Sequence, residues 1–523
     1  MTVGNRPQGP PCSHLTGVVH SSLCKGSGTI YSRERQKVET ERMKARKVVL
    51  FPTPGAGHIV AMIELAKQIL RHSCNTLSIT ILQINPPSAS PLNSAAASTH
   101  AQAVAASGLN IDFVELPPTP SDDAPEGGGL IPTLRYIESQ KSSLSKTLAS
   151  ISATATVCAI VVDMFCLGVS DVPAELGIPT YVLYTSGAAM LAFLLYFSEL
   201  DRKHAGDFRD LKEFLEIPGR CPFPASAVPA LMQEKNNPTY RWFLRASELF
   251  SKVDGVLVNT FRELQPRPIK ALKDGLCKPG LRTPPDFPIG PLLGLGPATE
   301  SQDHECIKWL DRQPLASVVF LCFGSMGAFS PAQIAEIAQG LEGSGQRFLW
   351  SIRIRPKGAP QFSEPKDVDP SEVLPEGFLR RTKEKGLVWP KWAPQVAILS
   401  HPAVGGFVSH CGWNSTLESV WFGVPMIAWP LYAEQGMNAF ELVNDLGLSL
   451  ELKKEEEGGE LVKGEELEKA VRSLMEGEEG KKVREKMKEA KNMARKAMEE
   501  GGSSYSTLAS LIQRWTKEGS CNT

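Results

Sequence analysis

A histidine and an aspartate stand where the ends of two predicted strands would bring them together. His58 closes the segment Pro54-Gly-Ala-Gly-His58, between the apolar run Lys47–Phe51 and a helical pattern, and Asp163 directly follows the apolar run Val157–Val162. An imidazole with a pKa near neutrality is suited to general-base catalysis, and a neighbouring carboxylate would orient it and stabilise its protonated form. Each residue also has a structural interpretation, His58 as a capping or packing histidine and Asp163 as the cap of a turn.

A second group of polar and aromatic residues lies in the segment Trp392–Gln435. There a buried-strand pattern leads into His410-Cys-Gly-Trp-Asn-Ser415 and then into a predicted helix. The free amides of a helix N-terminus bind phosphate, Glu418 one turn later could accept hydrogen bonds from a ribose, and Trp392 offers a flat face to a base. An ordinary strand–turn–helix does not explain all these groups together. We assign Cys411 to packing rather than to nucleophilic catalysis, because a bound phosphate would occupy the helix start.

Other phosphate and metal motifs are incomplete. A dinucleotide-binding G-x-G-x-x-G would need glycine where the chain has Val60, and Gly480-Lys481 is followed by Lys482 rather than by the Ser or Thr of a P-loop. Asp367-Val-Asp369 has the D-x-D spacing of metal-dependent sugar-nucleotide enzymes, but it lies in a polar, Pro-rich loop, where we expect solvated surface. A glycoside hydrolase would need two carboxylates across the sugar, and only Asp163 is well placed. We expect no metal and no cofactor.

Short apolar runs alternate with amphipathic helical segments along the chain, a pattern typical of parallel sheets covered by helices on both faces. We predict an α/β fold of two Rossmann-like halves, separated by a Pro- and Gly-rich stretch that begins at Pro284. The carboxyl ends of both sheets would then border a shared cleft. The predicted strands are Lys47–Phe51, Leu77–Ile84, Val157–Val162, Ile178–Leu183 and Gly255–Val258 in the first half, and Val318–Phe323, Arg347–Trp350, Gly386–Trp389, Val404–Ser409 and Val424–Trp429 in the second.

Composition excludes several classes of protein. Among the 523 residues, 56 Lys and Arg balance 57 Asp and Glu, so no net positive charge would attract nucleic acid. The 11 cysteines form no C-x-x-C pair, which indicates reduced thiols. The apolar run Ala188–Phe197 is too short to span a membrane, and the first forty residues lack the apolar core of a secretory signal. We expect a cytoplasmic protein with no transmembrane segment and no nucleic-acid partner.

The segment Trp392–Gln435 resembles the signature box of the plant family 1 UDP-glycosyltransferases, and similarity extends from about Met43 to the C-terminus. The resemblance implies a GT-B fold, in which the first domain binds mainly the acceptor and the second the nucleotide sugar. The further matching motifs are Pro54–His58, Asp163-x-Phe-Cys166, Tyr184-Thr-Ser-Gly187, Val258-Asn-Thr-Phe261, Ile289-Gly-Pro291 and Phe323-Gly-Ser325. The expected domains are a disordered extension 1–42, an acceptor domain 43–283, a linker 284–301, a donor domain 302–490 and a helix 491–523 that crosses back to the acceptor domain.

The functional residues of that family fall on matching positions of this chain. The resemblance implies that His58 is the catalytic base and Asp163 its orienting partner. The other matches concern the nucleotide sugar: Trp392 and Ala393 at the uracil, Gln395 and Glu418 at the ribose, Ser325, His410, Asn414 and Ser415 at the diphosphate, and Thr185, Trp413, Glu434 and Gln435 at the sugar.

The reaction that the resemblance implies is an inverting, metal-independent glucosylation. Glucose would pass from UDP-glucose, a co-substrate, to a hydroxyl of a small lipophilic acceptor such as a flavonoid, another phenolic, a terpenoid or a hormone. In the family Gln435 is associated with glucose donors, and Trp413 argues against a glucuronosyl donor. We expect the helix Ala188–Phe197 and the stretches Asn85–Leu92 and Phe223–Phe250 to build the acceptor pocket, and the protein to be a monomer. The alternatives are transfer from UDP-galactose, UDP-xylose or UDP-glucuronic acid and, less favoured, a non-catalytic UDP-sugar-binding protein.

Overall fold

The computed structural model describes residues 44–85, 104, 107–117, 129–295, 303–355, 365–453 and 461–518. The predicted N-terminal extension 1–42 lies outside the described residues, as do residues 86–92 of the expected acceptor stretch Asn85–Leu92.

The first half of the chain forms a seven-stranded parallel sheet and a small antiparallel pair. In chain order its strands are β1 (Ala45–Phe51), β2 (Ser78–Gln83), β3 (Ile111–Glu115), β4 (Ala155–Asp163), β5 (Thr180–Tyr184), β6 (Phe214–Leu215), β7 (Phe223–Pro224), β8 (Gly255–Val258) and β9 (Asp286–Pro288). β6 pairs with β7, and the parallel sheet has the order β3-β2-β1-β4-β5-β8-β9. The connections therefore leave β1 and β4 in opposite directions, which opens a crevice at the carboxyl ends of these two strands.

The second half repeats this arrangement with six parallel strands. They are β10 (Val318–Cys322), β11 (Arg347–Ser351), β12 (Gly386–Trp389), β13 (Val404–Ser409), β14 (Met426–Ala428) and β15 (Ser449–Glu451). Their order is β12-β11-β10-β13-β14-β15, so the corresponding crevice lies between β10 and β13. The prediction of two parallel α/β domains is confirmed.

Unbroken apolar runs form these strands because both faces of each sheet are covered. Successive side chains of a strand point to opposite faces. In β1, Val49 and Phe51 join the apolar core on one face, whereas Val48 and Leu50 join the core on the other. Such a strand is stable only between two layers of helices, which is why the parallel sheet forms the middle layer of its domain.

The helices cover the sheets and bring their N-termini to the carboxyl ends of the strands. The helix α5 (Ala188–Lys203) contains the apolar run Ala188–Phe197, all of it buried, so the prediction of a buried helix is confirmed. Within the described ranges no helix is long and apolar enough to cross a membrane. The helices are α1 (Ala56–His72), α2 (Leu130–Ser139), α3 (Lys141–Thr154), α4 (Asp171–Glu175), α5 (Ala188–Lys203), α6 (Pro238–Leu249), α7 (Pro266–Lys273), α8 (Glu305–Leu310), α9 (Pro331–Ser344), α10 (Pro370–Val373), α11 (Phe378–Thr382), α12 (Gln395–Ser400), α13 (Trp413–Phe422), α14 (Gln435–Phe440), α15 (Gly464–Glu476), α16 (Glu478–Met498) and α17 (Ser503–Glu518).

The last helix, α17, packs on the first sheet although it follows the second domain. Its apolar side chains Leu508, Leu511 and Trp515 belong to one core with the strands of the first sheet. The Trp515 ring lies 5.3 Å from that of Tyr181, and the Arg46 side chain donates a 2.8 Å hydrogen bond to the Thr516 carbonyl. The C-terminal segment thus ties the two domains together.

The antiparallel pair β6 and β7 was not predicted, nor were three strands of the parallel sheets, and these three lie at sheet edges. β3, β9 and β15 are short, and their burial patterns mix buried with partly or fully exposed positions. An edge strand has no second neighbour, and therefore needs no continuous apolar run. β9 also lies inside the stretch 284–301, so the first sheet extends to Pro288 within the predicted linker. The other domain boundaries stay predictions.

Candidate active site

His58 and Asp163 meet at the carboxyl edge of the first sheet. β1 and β4 are parallel neighbours, with Phe51 opposite Val162, so the segments that follow them start side by side. The Nδ1 atom of His58 lies 2.7 Å from the Oδ2 atom of Asp163. His58 belongs to the first turn of α1, and Asp163 is the last residue of β4.

The Asp163 carboxylate is completely buried and fixed on both oxygens. Its Oδ1 atom accepts hydrogen bonds from the Thr53 hydroxyl at 2.7 Å and from the Phe165 amide at 3.0 Å, while Oδ2 faces His58. Thr53 lies in the Pro-rich turn after β1 and was not singled out from the sequence. When Nδ1 of His58 donates its hydrogen bond to Asp163, the Nε2 atom keeps the lone pair that a general base needs.

The pKa of His58 lies above its ordinary value of 6.5. Burial lowers this pKa, but the charge and hydrogen bond of Asp163 and the more remote charge of Glu434 raise it by more. The side chain of His58 is 26% exposed, so a small molecule in the cleft can reach it. The arrangement therefore suits a base that accepts a proton and holds it as an imidazolium.

Aromatic side chains form a wall next to His58. The Phe165 ring lies 5.4 Å from the imidazole, edge on, and 5.6 Å from the Trp242 ring. Phe243 packs against both, at 6.5 Å from Phe165 and 5.2 Å from Trp242. A flat aromatic molecule would find a matching surface here. Trp242 and Phe243 lie within the stretch Phe223–Phe250 that was expected to line the acceptor pocket.

The helix α13 offers a free N-terminus at the carboxyl edge of the second sheet. Its cap residue, Gly412, has no side chain, and the first turn contains no acidic residue. Between β13 and this helix, Cys411 adopts a positive φ of 64°, and its carbonyl accepts a 3.0 Å hydrogen bond from Asn438. Backbone amides of the first turn are thereby aimed at the cleft, where they can bind an anion. The Cys411 thiol is buried, and burial raises its pKa to about 12, as expected of a packing residue.

His410 packs between two glycines and is uncharged. Burial lowers its pKa to about 4, so at neutral pH it can contribute a hydrogen bond but no positive charge. A Cβ on Gly324 would lie 2.6 Å from its Nε2 atom, and one on Gly412 would lie 2.5 Å from it. These close approaches explain why the loops after β10 and β13 both need glycine. Ser325 directly follows one of these glycines and therefore lies at the same crevice.

Gln395, Ser415 and Glu418 form a polar cluster one turn along α13. The Gln395 amide nitrogen lies 2.8 Å from the Ser415 hydroxyl and 2.7 Å from a Glu418 carboxylate oxygen. Burial raises the pKa of Glu418 to about 7, although the hydrogen bond from Gln395 opposes this shift. Beside the cluster, Ala393 is buried whereas the Trp392 side chain is 62% exposed and free to stack on a flat ring.

The expected sugar-contacting residues come from both domains. Thr185, at the end of β5, has its hydroxyl 3.5 Å from Nδ1 of His58. Gln435 begins α14, and its side-chain oxygen accepts hydrogen bonds from the Leu431 and Tyr432 amides at 2.9 and 3.0 Å. Glu434 precedes it and acts electrostatically on His58. Residues from β5, α1 and the start of α14 are therefore brought together around one point of the cleft.

Trp413 and Asn414 join the two domains directly. The Trp413 indole nitrogen donates a 2.7 Å hydrogen bond to the Asn259 carbonyl, and a Cβ on Gly187 would lie 2.7 Å from its ring. This side chain is only 3% exposed and forms part of the domain junction, and its predicted contact with the sugar stays a prediction. The Asn414 amide lies 3.4 Å from the Gly57 carbonyl, next to His58. Asn259 lies in a motif that the sequence singled out without assigning it a task.

The D-x-D motif has structural partners. Asp369 caps α10 by accepting hydrogen bonds from the Ser371 amide at 2.9 Å and from the Ser371 hydroxyl at 2.8 Å. Asp367 is 60% exposed and lies 4.0 Å from the Arg353 guanidinium. Across the part of the chain that the structure describes, no group of three His, Cys, Asp or Glu side chains is arranged to hold a metal ion.

Comparisons with known proteins agree with this architecture. The family "UDP-glucoronosyl and UDP-glucosyl transferase" matches residues 295–488. A malvidin galactosylase of Oryza sativa subsp. japonica is 43% identical over 478 residues, which cover 90% of this chain and 98% of the relative. An anthocyanidin 5,3-O-glucosyltransferase of a Rosa hybrid cultivar is 43% identical over 481 residues, 90% of this chain and 99% of the relative.

Solved structures give the same result for the whole fold. The apo structure of UGT2 from Phytolacca americana aligns with a TM-score of 0.79 at 37% identity, covering 90% of this chain and all of that one (100%). The same protein complexed with UDP-2fluoro-glucose and pterostilbene aligns with a TM-score of 0.77 at 36% identity, with the same coverage of 90% and 100%. The fold is therefore GT-B, and the chain is an enzyme that belongs to the plant family 1 UDP-glycosyltransferases.

Proposed function

We propose that this enzyme transfers glucose from UDP-glucose to a hydroxyl of a flat phenolic molecule, with inversion at the anomeric carbon and with His58 as general base. The observation that carries the proposal is the 2.7 Å pairing of His58 with a buried Asp163, on the opposite side of the cleft from the free N-terminus of α13. A non-catalytic UDP-sugar-binding protein would have no use for this pair.

On the donor side, the leaving UDP is stabilised electrostatically. As the bond between the anomeric carbon and the UDP oxygen breaks, negative charge develops on the diphosphate. The amides at the start of α13 and the dipole of that helix stabilise this charge, with His410 adding a neutral hydrogen bond. Trp392 holds the uracil, and Gln395 and Glu418 exchange their mutual hydrogen bond for bonds to the ribose hydroxyls.

The acceptor side needs a base. The Nε2 atom of His58 removes the proton from the acceptor hydroxyl while that oxygen attacks the anomeric carbon from the face opposite UDP. Asp163 stabilises the imidazolium that forms, as the raised pKa of His58 indicates. One displacement inverts the configuration, so α-linked UDP-glucose yields a β-glucoside and no covalent intermediate forms.

The aromatic wall beside His58 supports a flat acceptor. Phe165, Trp242 and Phe243 offer ring faces and edges within reach of the base. Relatives at about the same level of identity are named for such molecules: an anthocyanidin 5,3-O-glucosyltransferase of a Rosa hybrid cultivar and a phloretin 2'-O-glucosyltransferase of Pyrus communis. We therefore propose flat phenolic molecules as the class of acceptor for this chain, without choosing a single compound.

Galactose is the second candidate for the transferred sugar, because a relative with 43% identity is named a malvidin galactosylase. We favour glucose on account of Gln435. Its side-chain oxygen is fixed by two backbone amides, which leaves the amide nitrogen to face the sugar.

Replacement of the proposed base should abolish transfer without abolishing donor binding. For His58→Ala we expect kcat to fall about 10²–10⁴-fold, since a general base contributes on this order, while the Kd for UDP measured by calorimetry stays unchanged. His72→Ala is the matched control, because His72 is the last residue of the same helix and is remote from the cleft. Full transfer activity in His58→Ala would contradict the proposed role.

The pH profile should report the ionisation of His58. Only the neutral imidazole accepts a proton, so kcat/KM should fall as the pH drops below its raised pKa. Asp163→Asn removes the charge that raises this pKa, so the acid limb should move to lower pH. The plateau should also fall by about 10²-fold or more, since an uncharged amide no longer stabilises the imidazolium. An acid limb that stays in place in Asp163→Asn would contradict the pairing.

Transfer should proceed without a divalent metal. The charge on the leaving UDP is stabilised by the α13 N-terminus, so we expect EDTA to leave the initial rate of UDP release unchanged. Loss of activity in EDTA that Mn²⁺ or Mg²⁺ restores would overturn the metal-free mechanism.

Donor choice is tested by competition between UDP-glucose and UDP-galactose with one phenolic acceptor. We expect the wild-type enzyme to have the higher kcat/KM for UDP-glucose, and Gln435→His to lose more activity with UDP-glucose than with UDP-galactose. A wild-type preference for UDP-galactose would contradict glucose as the transferred sugar and support galactose.

A further inference from the structure

A short helix of the donor domain is docked deeply into the acceptor domain. This helix, α14, begins with Gln435, and its Met437 is fully buried in the apolar core of the first sheet. A Cβ on Gly436 would lie 2.9 Å from the Ala227 carbonyl, and the Arg220 guanidinium donates a 3.1 Å hydrogen bond to the Met437 carbonyl. The position of Gln435 therefore depends on contacts with the other domain.

Gln265 connects this helix to the segment that borders the base. It lies just before α7 and is 1% exposed. Its side-chain oxygen accepts a 2.8 Å hydrogen bond from the amide of Ala188, the first residue of α5. Its side-chain nitrogen donates a 2.8 Å hydrogen bond to Glu441, the residue that follows α14. The oxygen of this carboxamide thus contacts the first domain, and its nitrogen contacts the second.

Each end of this connection leads to the reaction site. Ala188 follows Thr185-Ser-Gly187, and Thr185 lies 3.5 Å from Nδ1 of His58. At the other end, Glu441 begins a widened turn in which its carbonyl accepts a hydrogen bond from the amide of Leu446, five residues later. Widened turns of this kind often accompany functional sites.

We propose that Gln265 is a positioning residue, which sets the distance between the sugar-contacting start of α14 and the His58 side of the cleft by holding the Ala188 amide and the Glu441 carboxylate together. This inference rests on the proposed transfer reaction. In it Gln265 touches neither substrate and acts through Ala188 and Glu441.

The carboxamide suits this position because its two neighbours differ in kind. Ala188 presents a donor, and Glu441 presents an acceptor whose carboxylate is only 4% exposed. A carboxylate at position 265 would still accept from Ala188, but it would face Glu441 with like charge. Two buried carboxylates in contact either repel each other or share a proton, so the present contact between the two domains would be lost at this point.

The first test is Gln265→Glu, measured by steady-state kinetics and by calorimetry. We expect kcat to fall about 10²-fold, since displacements near 1 Å of a positioned substrate cost this much. The Kd for UDP should change less than about twofold, because the two hydrogen bonds of the Gln265 side chain go to Ala188 and Glu441 rather than to Trp392, Gln395 or the backbone of α13.

A charge swap provides the rescue. In the double variant Gln265→Glu/Glu441→Gln, the carboxylate introduced at position 265 accepts from the Ala188 amide and also from the side-chain amide introduced at position 441. Both hydrogen bonds are therefore restored, the one between positions 265 and 441 with its direction reversed. We expect the double variant to recover at least about tenfold in kcat over Gln265→Glu.

Gln265→Met keeps the test decisive if the charged variant fails to fold. This variant keeps the size of the side chain and loses both hydrogen bonds, and we expect the same fall in kcat without weaker UDP binding. The matched control is Gln333→Met. Gln333 is also buried and also makes two hydrogen bonds, at 2.7 and 2.9 Å to Val462, but within one domain. The Gln333→Met substitution should lower the melting temperature and leave kcat unchanged.

The inference is overturned if Gln265→Met keeps wild-type kcat, if the charge swap recovers nothing, or if UDP binding weakens in parallel with kcat. These results differ from a failure of the proposed function, which would appear as absence of transfer by the wild-type enzyme with any UDP-sugar and phenolic acceptor.

Discussion

The hydrogen bond from the Trp413 indole to the Asn259 carbonyl fixes the geometry on which the reaction site depends. A transfer between two substrates bound on different domains requires the carboxyl edges of two separate sheets to face each other at a defined distance. Trp413 is the first residue of α13, and Asn259 directly follows β8 of the acceptor domain. The Asn259 side chain also accepts a 2.7 Å hydrogen bond from the Leu292 amide. Gly187 leaves room for the indole. The Trp413–Asn259 and Gln265–Glu441 hydrogen bonds together hold the two domains in contact beside the reaction site.

Two histidines on the two sides of this cleft have opposite electrostatic environments. His58 faces the carboxylate of Asp163, which raises its pKa and suits it to accept a proton. His410 is buried between glycine backbones without an opposing charge, so its pKa falls to about 4 and it stays neutral. The same residue type is therefore suited to accept a proton in one environment and to make an uncharged hydrogen bond in the other. In the proposed reaction, the positive field at the diphosphate would come from the backbone of α13 rather than from a side chain.

Sequence patterns predicted those features that are local in the chain. Buried central strands appear as apolar runs, and the stretches Gly255–Val258 and Val404–Ser409 were predicted with the observed bounds. The half-buried edge strand Gly386–Trp389 was also predicted with its observed bounds, because it keeps an apolar run. The edge strands β3, β9 and β15 were missed, because partial exposure removes that signal. In the site, His58 and Asp163 could be paired because parallel neighbours end at one edge. Thr53, Gln265 and Glu441 could not, since their partners are distant in sequence and their residue types are common on surfaces. The position of Trp413 in a motif likewise gave no sign that its side chain would be buried in the domain junction.

In the proposed mechanism, the acceptor oxygen is deprotonated by His58 and displaces UDP in a single step across this junction. The anomeric configuration of the product tests it most directly. With UDP-glucose and a phenolic acceptor, proton NMR of the purified glucoside should show the large coupling between the protons on the first two sugar carbons that identifies a β-glucoside. A small coupling, which identifies the α-anomer, would mean retention of configuration and would contradict the single displacement.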